Sequence, residues 1–441
     1  MERREQSEIA SHRAAANATQ YSQSGKRSFG GLFDKAKHTV ALSNPRRSRY
    51  ADYNGGNPFT ALTVRYSPKM ETAAYPQLVK TAERFRVPGK VTDITKLASG
   101  NINDTFFVST SCFPEKGFIL QKMNRRVFDA PEKSVENICL LLEHVKNESG
   151  KTDGMRLPWK IPDIVRTRTG DPFWIDSEGN FWRASRYIGN STTYTRSSDP
   201  NIIRQVGRAL GQFHCLTNTL DIAGLHIVLA GFHITPQYCK IFRSNLQSAT
   251  IDKNNGKIRY CLEAVRDMEP YAHVLEKAKH TGKLKIRTIH GDPKISNILF
   301  HPQQKRPVGI IDLDTVQPGL VHYDIGDCAR SCCNRLGEET LQFDQVRFDL
   351  VLFQRFIEGY LEEAASFFFE EDYHYLYDCL RLIAFELGLR FLSDYLAGNR
   401  YFRATYCEHN LNRAFVQFRL AASIERQEKA IRSIIENAGN F

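Results

Sequence analysis

Between residues 91 and 123 apolar and polar positions recur in three short runs, VTDITKLA, TFFVST and GFILQKM, separated by SGNIND and FPEKG. Runs of this length, rich in β-branched and aromatic residues and bounded by turn formers, predict an antiparallel meander. At Pro131 the period lengthens. PEKSVENICLLLEHVKNE has proline in its first turn and apolar residues at helical spacing, which predicts a helix. IPDIVRT and PFWID read as two further strands meeting at a Thr-Gly-Asp turn, and FWRASRYI follows them. Beyond about residue 190 helical spacing takes over, in NIIRQVGRALGQFHCLTNTL, in residues 236–247, in 258–281 and from about 338 to the C-terminus. A strand pair formed by residues 285–289 and 308–311 interrupts it, and METAAYPQLVKTAERF predicts a helix ahead of the meander. The fold class expected is α+β. An N-terminal lobe built on an antiparallel sheet (residues 70–190) is hinged near residues 187–193 to a mainly helical C-terminal lobe (191–441), with a cleft between them.

Residues 1–69 lack sustained periodicity and are rich in Ser, Ala, Asn, Arg and Gly, so they are expected to form a disordered basic extension. This segment carries 12 Lys/Arg against 5 Asp/Glu, and the other 372 residues hold only +4 of the formal charge of +11. An excess confined to a tail, with no stripe of basic and aromatic residues elsewhere, argues against a nucleic-acid-binding domain. No run of about 18 apolar residues occurs, and the opening MERREQSEIA has three glutamates where a secretory signal has an apolar stretch. The expectation is a cytoplasmic protein with no membrane partner, acting as a monomer. Ten cysteines without a CxxC pair or scaffold spacing read as reduced structural thiols.

The chemistry concentrates in KIRTIHGDPKISNILFHPQQKRPVGIIDLDTVQPGLVHYDIGDCAR. A strand ends in His290-Gly291-Asp292, Asn297 follows five residues later, and a second apolar strand delivers Asp312. Phosphoryl transfer needs a carboxylate beside the attacking hydroxyl and oxygen ligands for Mg²⁺ on the nucleotide phosphates. Asp292 on a tight loop can take the proton, while Asn297 and Asp312 can offer hard oxygen donors. Asp314 joins them as a second metal ligand if the strand continues. His290 is read as a structural residue bonding nearby backbone. No GxxxxGK[ST] is present, which removes the P-loop class. The nucleotide phosphates are then expected under the loop Ser99-Gly100-Asn101-Ile102-Asn103 and against Lys122, with Glu136 as the partner of Lys122. Gln121 faces the opposite side, and a one-residue register shift exchanges the two.

HGDPKISNILF followed by GIIDLDTVQPGLVHYDIGDCAR resembles the aminoglycoside phosphotransferase and choline kinase superfamily, and more closely its N-acetylhexosamine 1-kinases. SGNINDTFFV, FILQKMNRRVF, FHITP and ELGLRFLSDYLAGNRYF extend the resemblance over residues 85–427. It implies a protein-kinase-like bilobal fold, ATP with Mg²⁺, and phosphorylation of the anomeric hydroxyl of an N-acetylhexosamine. Carried over by position, His233, Arg390 and Tyr401 are sugar contacts, and Asn101 stands near the sugar where these relatives have histidine. A lone Arg390 in the apolar run FELGLRFL independently points to a polar cleft.

The competing expectations are a kinase for another sugar, an aminoglycoside or an amino alcohol, and a nucleotide-binding pseudokinase scaffold. A metal-dependent hydrolase built from His290, Asp292, Asp312, His322 and Asp324 is the remaining one.

Overall fold

The computed structural model describes residues 76–97, 102–149, 159–252 and 254–439. The basic segment 1–69 and the loop Ser99-Gly100-Asn101 lie outside them. A short helix α1 (Pro76–Ala82) precedes β1 (Val91–Lys96), β2 (Asp104–Thr110) and β3 (Phe113–Lys122). Helix α2 (Pro131–Ser149) follows, then β4 (Ile164–Val165), β5 (Trp174–Ile175) and β6 (Phe181–Arg186). All pairings are antiparallel in the order β1-β2-β3-β6-β4, with β5 also on β6. The expected meander forms, and β6 completes it by pairing with β3 rather than with its sequence neighbours alone.

Strand alternation gives this sheet two unlike faces. Phe106, Val108, Phe118, Leu120, Trp182 and Ala184 pack with Ala82 and Phe85 into a small core on the outer face. Thr105, Phe107, Ile119, Gln121, Arg183 and Ser185 occupy the other positions of the same ladders and so face inward.

The C-terminal region is mainly helical: α3 (Pro200–Thr217), α4 (Thr235–Ser248), α5 (Gly256–Met268) and α6 (Val274–His280). The single helix expected over 258–281 is broken because Pro270, in a 3-10 turn at Glu269–Tyr271, has no N–H to continue the ladder. The strand pair expected from 285–289 and 308–311 does not form as such. β7 (Arg287–Ile289) pairs with β10 (Gln317–Gly319), and β8 (Ile298–Phe300) pairs with β9 (Pro307–Ile310). Helix α7 (Val321–Cys332) is followed by α8 (Leu350–Ala364), α9 (Glu370–His374), α10 (Leu376–Leu396), α11 (His409–Arg426) and α12 (Glu428–Gly439). The helical pattern expected from 338 onward starts later, because Asp349 caps the backbone N–H of Leu352 and begins the helix there.

Two strand-like contacts tie the regions together. Thr192, in the segment expected to hinge, exchanges backbone bonds with Phe300 at 2.9 and 2.8 Å, and Lys160 does so with Val308 and Ile310 at 2.9 and 3.2 Å.

Helices α3 and α8 approach so closely that glycine is required at their crossing. A Cβ on Gly207 would run into the carbonyl oxygen of Phe356, and one on Gly359 into that of Arg204. Neither obstacle is a side chain that can swing aside. Gly207→Ala is expected to destabilise the protein by about 1–3 kcal/mol or more, read as a lower midpoint in chemical denaturation. An unchanged midpoint would show that the helices separate without cost.

Candidate active site

The loop after β7 is held on every side by groups distant in sequence. Gly291 has φ of 89°, and a Cβ there would come within 2.7 Å of the Thr315 carbonyl oxygen, so only glycine fits. Asp324, in the first turn of α7 and wholly buried, accepts the backbone N–H of His290 at 2.6 Å and of Gly291 at 2.8 Å. His214 of α3 donates from Nε2 to Asp324 at 2.9 Å, and the Tyr360 hydroxyl meets its Nδ1 at 3.0 Å. Burial opposes ionisation of Asp324, but the bond and charge of His214 and the loop N–H prevail and lower its pKa. His290 is the structural residue expected. Its Nε2 donates to the Ile311 carbonyl at 3.0 Å, its Nδ1 accepts the Asp292 N–H at 3.3 Å, and its own carbonyl accepts from Thr315 Oγ1 at 2.7 Å.

Asp292 is half-buried. Lys294 Nζ lies 2.6 Å from its Oδ2, leaving Oδ1 without a partner among the described residues. Burial works against the charge, but Lys294 outweighs it and holds the carboxyl below its usual range, while Asp292 in turn raises Lys294. Asn297 Nδ2 donates to the Asp292 carbonyl at 2.9 Å, which leaves the Asn297 amide oxygen without a protein donor. The Ile311 N–H bonds the Asn297 carbonyl at 2.9 Å, so the open end of the β8–β9 hairpin brings Asn297 beside Asp312. Asp312 adopts φ 65° and ψ 54°, a left-handed conformation that few non-glycine residues take. The residue is exposed, and its carboxylate has no hydrogen-bond or ion-pair partner among the described residues. The surrounding protein and then Asp314 push its pKa up, against Lys294. Among the described residues no group of three or more His, Cys, Asp or Glu side chains converges as a metal site, so the oxygens left open here are the Asp312 carboxylate and the Asn297 amide, both of the hard-donor type.

Several expected residues stand elsewhere. Strand β9 ends at Ile310 and residues 313–315 form a 3-10 turn, so Asp314 does not share a strand face with Asp312. Its carboxylate is taken up by the N-terminal sheet: Oδ1 pairs with Arg183 Nη2, and Oδ2 accepts from Asn103 Nδ2 at 2.6 Å. Lys122 lies on the outer sheet face, 5.9 Å from the centre of the Trp182 ring. The inward residue is Gln121, whose Oε1 accepts from Arg183 Nε and Nη2 at 3.0 and 2.8 Å. Glu136 is exposed and lies 2.8 Å from His226 Nε2, not against Lys122. The inward residues of α2 are instead Ser134, which donates to the Asp314 carbonyl at 2.9 Å, and Asn137, which donates to the Val316 carbonyl at 2.8 Å.

His233 is not presented to a ligand. It is 3 % exposed, with Nδ1 bonded to Glu386 at 3.0 Å and Nε2 to the Gly291 carbonyl at 2.9 Å. Carboxylate and carbonyl oxygens only accept, so both ring nitrogens carry protons and the ring is an imidazolium. Burial opposes that charge, and the Glu386 bond and charge overcome it, so the pKa is raised. Arg390 and Tyr401 are brought together. The Arg390 guanidinium lies 5.2 to 5.4 Å from the ring centres of Phe232, Tyr238 and Phe402, with no acidic partner among the described residues. Tyr401 is 54 % exposed, and Asp394 fixes its backbone N–H at 2.7 Å. The acids named for a hydrolase do not converge: His322 Nε2 donates to the Asp372 carbonyl at 2.9 Å, and both Asp324 oxygens are engaged as above.

Sequence reasoning passed over Lys294, Arg183 and His214, and named Asn103 only as the last residue of the expected phosphate loop. Arg183 carries a signal like that used for Arg390, an arginine set between apolar residues at the start of FWRASRYI, and His214 is alone on an apolar helix face. Lys294 follows Asp292 by two residues on a tight loop.

The family described as "Phosphotransferase enzyme family" matches residues 93–348. Among solved structures the chain is similar to a microcompartment-associated aminopropanol kinase, with TM-score 0.54 and 15% identity over 81% of this chain and 98% of that one. It is also similar to an aminoglycoside phosphotransferase from Alicyclobacillus acidocaldarius subsp. acidocaldarius DSM 446, with TM-score 0.55 and 16% identity over 81% and 96%. At such identities the likeness is one of fold.

The His233 clamp has a pH signature. A group whose pKa is raised on folding stabilises fully below its unfolded value, here about 6.5, and loses that contribution as pH climbs through the raised one. Wild-type protein is therefore expected to lose more thermal stability between mildly acidic and alkaline pH than His233→Gln. Parallel pH profiles of melting temperature for the two proteins would remove the imidazolium.

Proposed function

Because the chain belongs to the phosphotransferase enzyme family, we propose that it transfers the terminal phosphoryl group of ATP to a hydroxyl of a small molecule, the anomeric hydroxyl of an N-acetylhexosamine. The observation that supports the reaction type is that Asp292 keeps one oxygen without a partner while the Asn297 amide, bonded to the Asp292 carbonyl, and the Asp312 carboxylate also keep oxygens without partners among the described residues. Asp292 takes the proton of the attacking hydroxyl, and Lys294 keeps it a carboxylate until then. Asn297 and Asp312 would hold Mg²⁺, which supplies charge neutralisation on the phosphates. The lashed backbone of His290 and Gly291 keeps Asp292 from drifting, which matters because positioning accounts for most of such catalysis. A pseudokinase scaffold has no need of a proton acceptor held this way.

The choice of acceptor rests on the motif resemblance and on Arg390. The compared structures are named for an aminopropanol kinase and an aminoglycoside phosphotransferase, whose acceptors carry amines. A guanidinium ringed by aromatics and without a direct ion-pair partner among the described residues disfavours a cation and offers donors to hydroxyl and carbonyl oxygens. A neutral sugar bearing an acetamido group suits it better, with the rings of Tyr401 and Phe402 as an apolar wall.

ADP release measured over a panel of N-acetylhexosamines, plain hexoses, an aminoglycoside and an amino alcohol tests the substrate, with the N-acetylhexosamines expected to be the best acceptors. Highest turnover with a cationic acceptor would overturn that choice. Asp292→Asn is expected to lower turnover by about 10²-fold or more, and near-wild-type activity would sink the mechanism. Asp312→Asn should raise the Mg²⁺ concentration needed for half-maximal rate, and an unchanged requirement would place the ion elsewhere.

A further inference from the structure

A phosphate chain needs a cation from the sheet that covers it, and Lys122, the strand lysine at that level, is turned to the outside against Trp182. On the inward face the neighbouring ladder rung carries Gln121 paired with Arg183. Among the described residues of β1, β2, β3 and β6, Arg183 is the one cation at an inward position. We propose that Arg183, acting with Gln121, is the group that holds the nucleotide's phosphates, an assignment that rests on the kinase reading above.

Three observations converge on it. The Arg183 side chain is 5 % exposed, yet its Nη1 has no hydrogen-bond partner. A buried unpaired guanidinium N–H is costly unless something else completes it. Its Nη2 pairs with Asp314, two residues beyond Asp312, so the guanidinium lies between the sheet and the turn that bears the free carboxylate. Nε and Nη2 both rest on Gln121 Oε1, which fixes the plane of the fork and leaves Nη1 as its unused prong. Arginine meets phosphate oxygens with charge-assisted bonds, and a fork already oriented loses little freedom in doing so. Asp314 balances the charge meanwhile, and because Asn103 grips the same carboxylate, nucleotide binding and apposition of sheet and turn become one event.

The test is equilibrium binding of Mg·ATP and of adenosine to the full chain carrying Arg183→Gln, Arg183→Lys or Lys122→Gln. Arg183→Gln is expected to weaken Mg·ATP by about tenfold or more while adenosine stays within about twofold. Arg183→Lys, which keeps a charge beside Asp314, should recover part of the loss, and Lys122→Gln should alter neither ligand. Equal loss of ATP and adenosine in both Arg183 variants would make the residue a scaffold for the turn and overturn the proposal. So would a loss of ATP affinity in Lys122→Gln alone. If the unsubstituted protein binds Mg·ATP and Arg183→Gln binds it as well, only this assignment falls. If the unsubstituted protein binds no ATP, the kinase reading falls and takes the assignment with it.

Discussion

The capture of two backbone N–H groups by the buried carboxylate of Asp324 is the constraint on which the site depends. A buried carboxylate is unstable unless its lone pairs are filled, and here His290, Gly291 and His214 fill them. Because two of those donors are loop backbone, satisfying the charge and fixing the loop are the same event. The loop cannot relax without exposing a buried anion to a medium that does not solvate it. His233 and Thr315 repeat the arrangement from other directions by binding the Gly291 and His290 carbonyls. Asp292 is thereby placed by α3, α7, α10 and the turn at 313–315 together.

A second set of contacts determines how the sheet meets this platform. Asp314 is held by Arg183 and Asn103 through its side chain and by Ser134 through its carbonyl. Asn137 adds the Val316 carbonyl and both backbone groups of His226. Helix α2 therefore reaches the turn at 313–316 by short polar residues that bond its backbone, while Glu136 is spent at the surface on His226. The residues nearest the free oxygens of Asp312 and Asn297 are held by one network running from the sheet to the helical region.

Much of this was legible along the chain where the determinants are local. Period-two runs marked β1 to β3, the proline-led amphipathic pattern marked α2, and the spacing of Asp292, Asn297 and Asp312 marked one hairpin and its flanking turns. Errors arose where a distant partner decides. Lys122 and Gln121 are neighbours on one strand, and only the packing of α1 on one sheet face shows which of them is outside. Asp314 looked like an extension of Asp312 because a strand ending at Ile310 and one ending at Asp312 have the same apolar pattern. His233 is expected as a sugar contact only from the resemblance, and nothing near it in sequence reveals that Glu386, 153 residues away, lies against its Nδ1.

The amino-acid sequence by itself determined the two-part α+β architecture and the chemical groups available for phosphoryl transfer, because periodicity and short-range spacing act within a few residues of themselves. The tertiary structure alone decided which charges remain free to act. Asp314, His233 and Asp324 are consumed by partners 33 to 211 residues away, while Asp312 and one prong of Arg183 are left unmatched among the described residues and Arg390 has no direct ion-pair partner there. An ionisable side chain carries the same charge wherever it occurs in sequence. Whether that charge is neutralised inside the protein or held open for a ligand depends on which surfaces the core presses together.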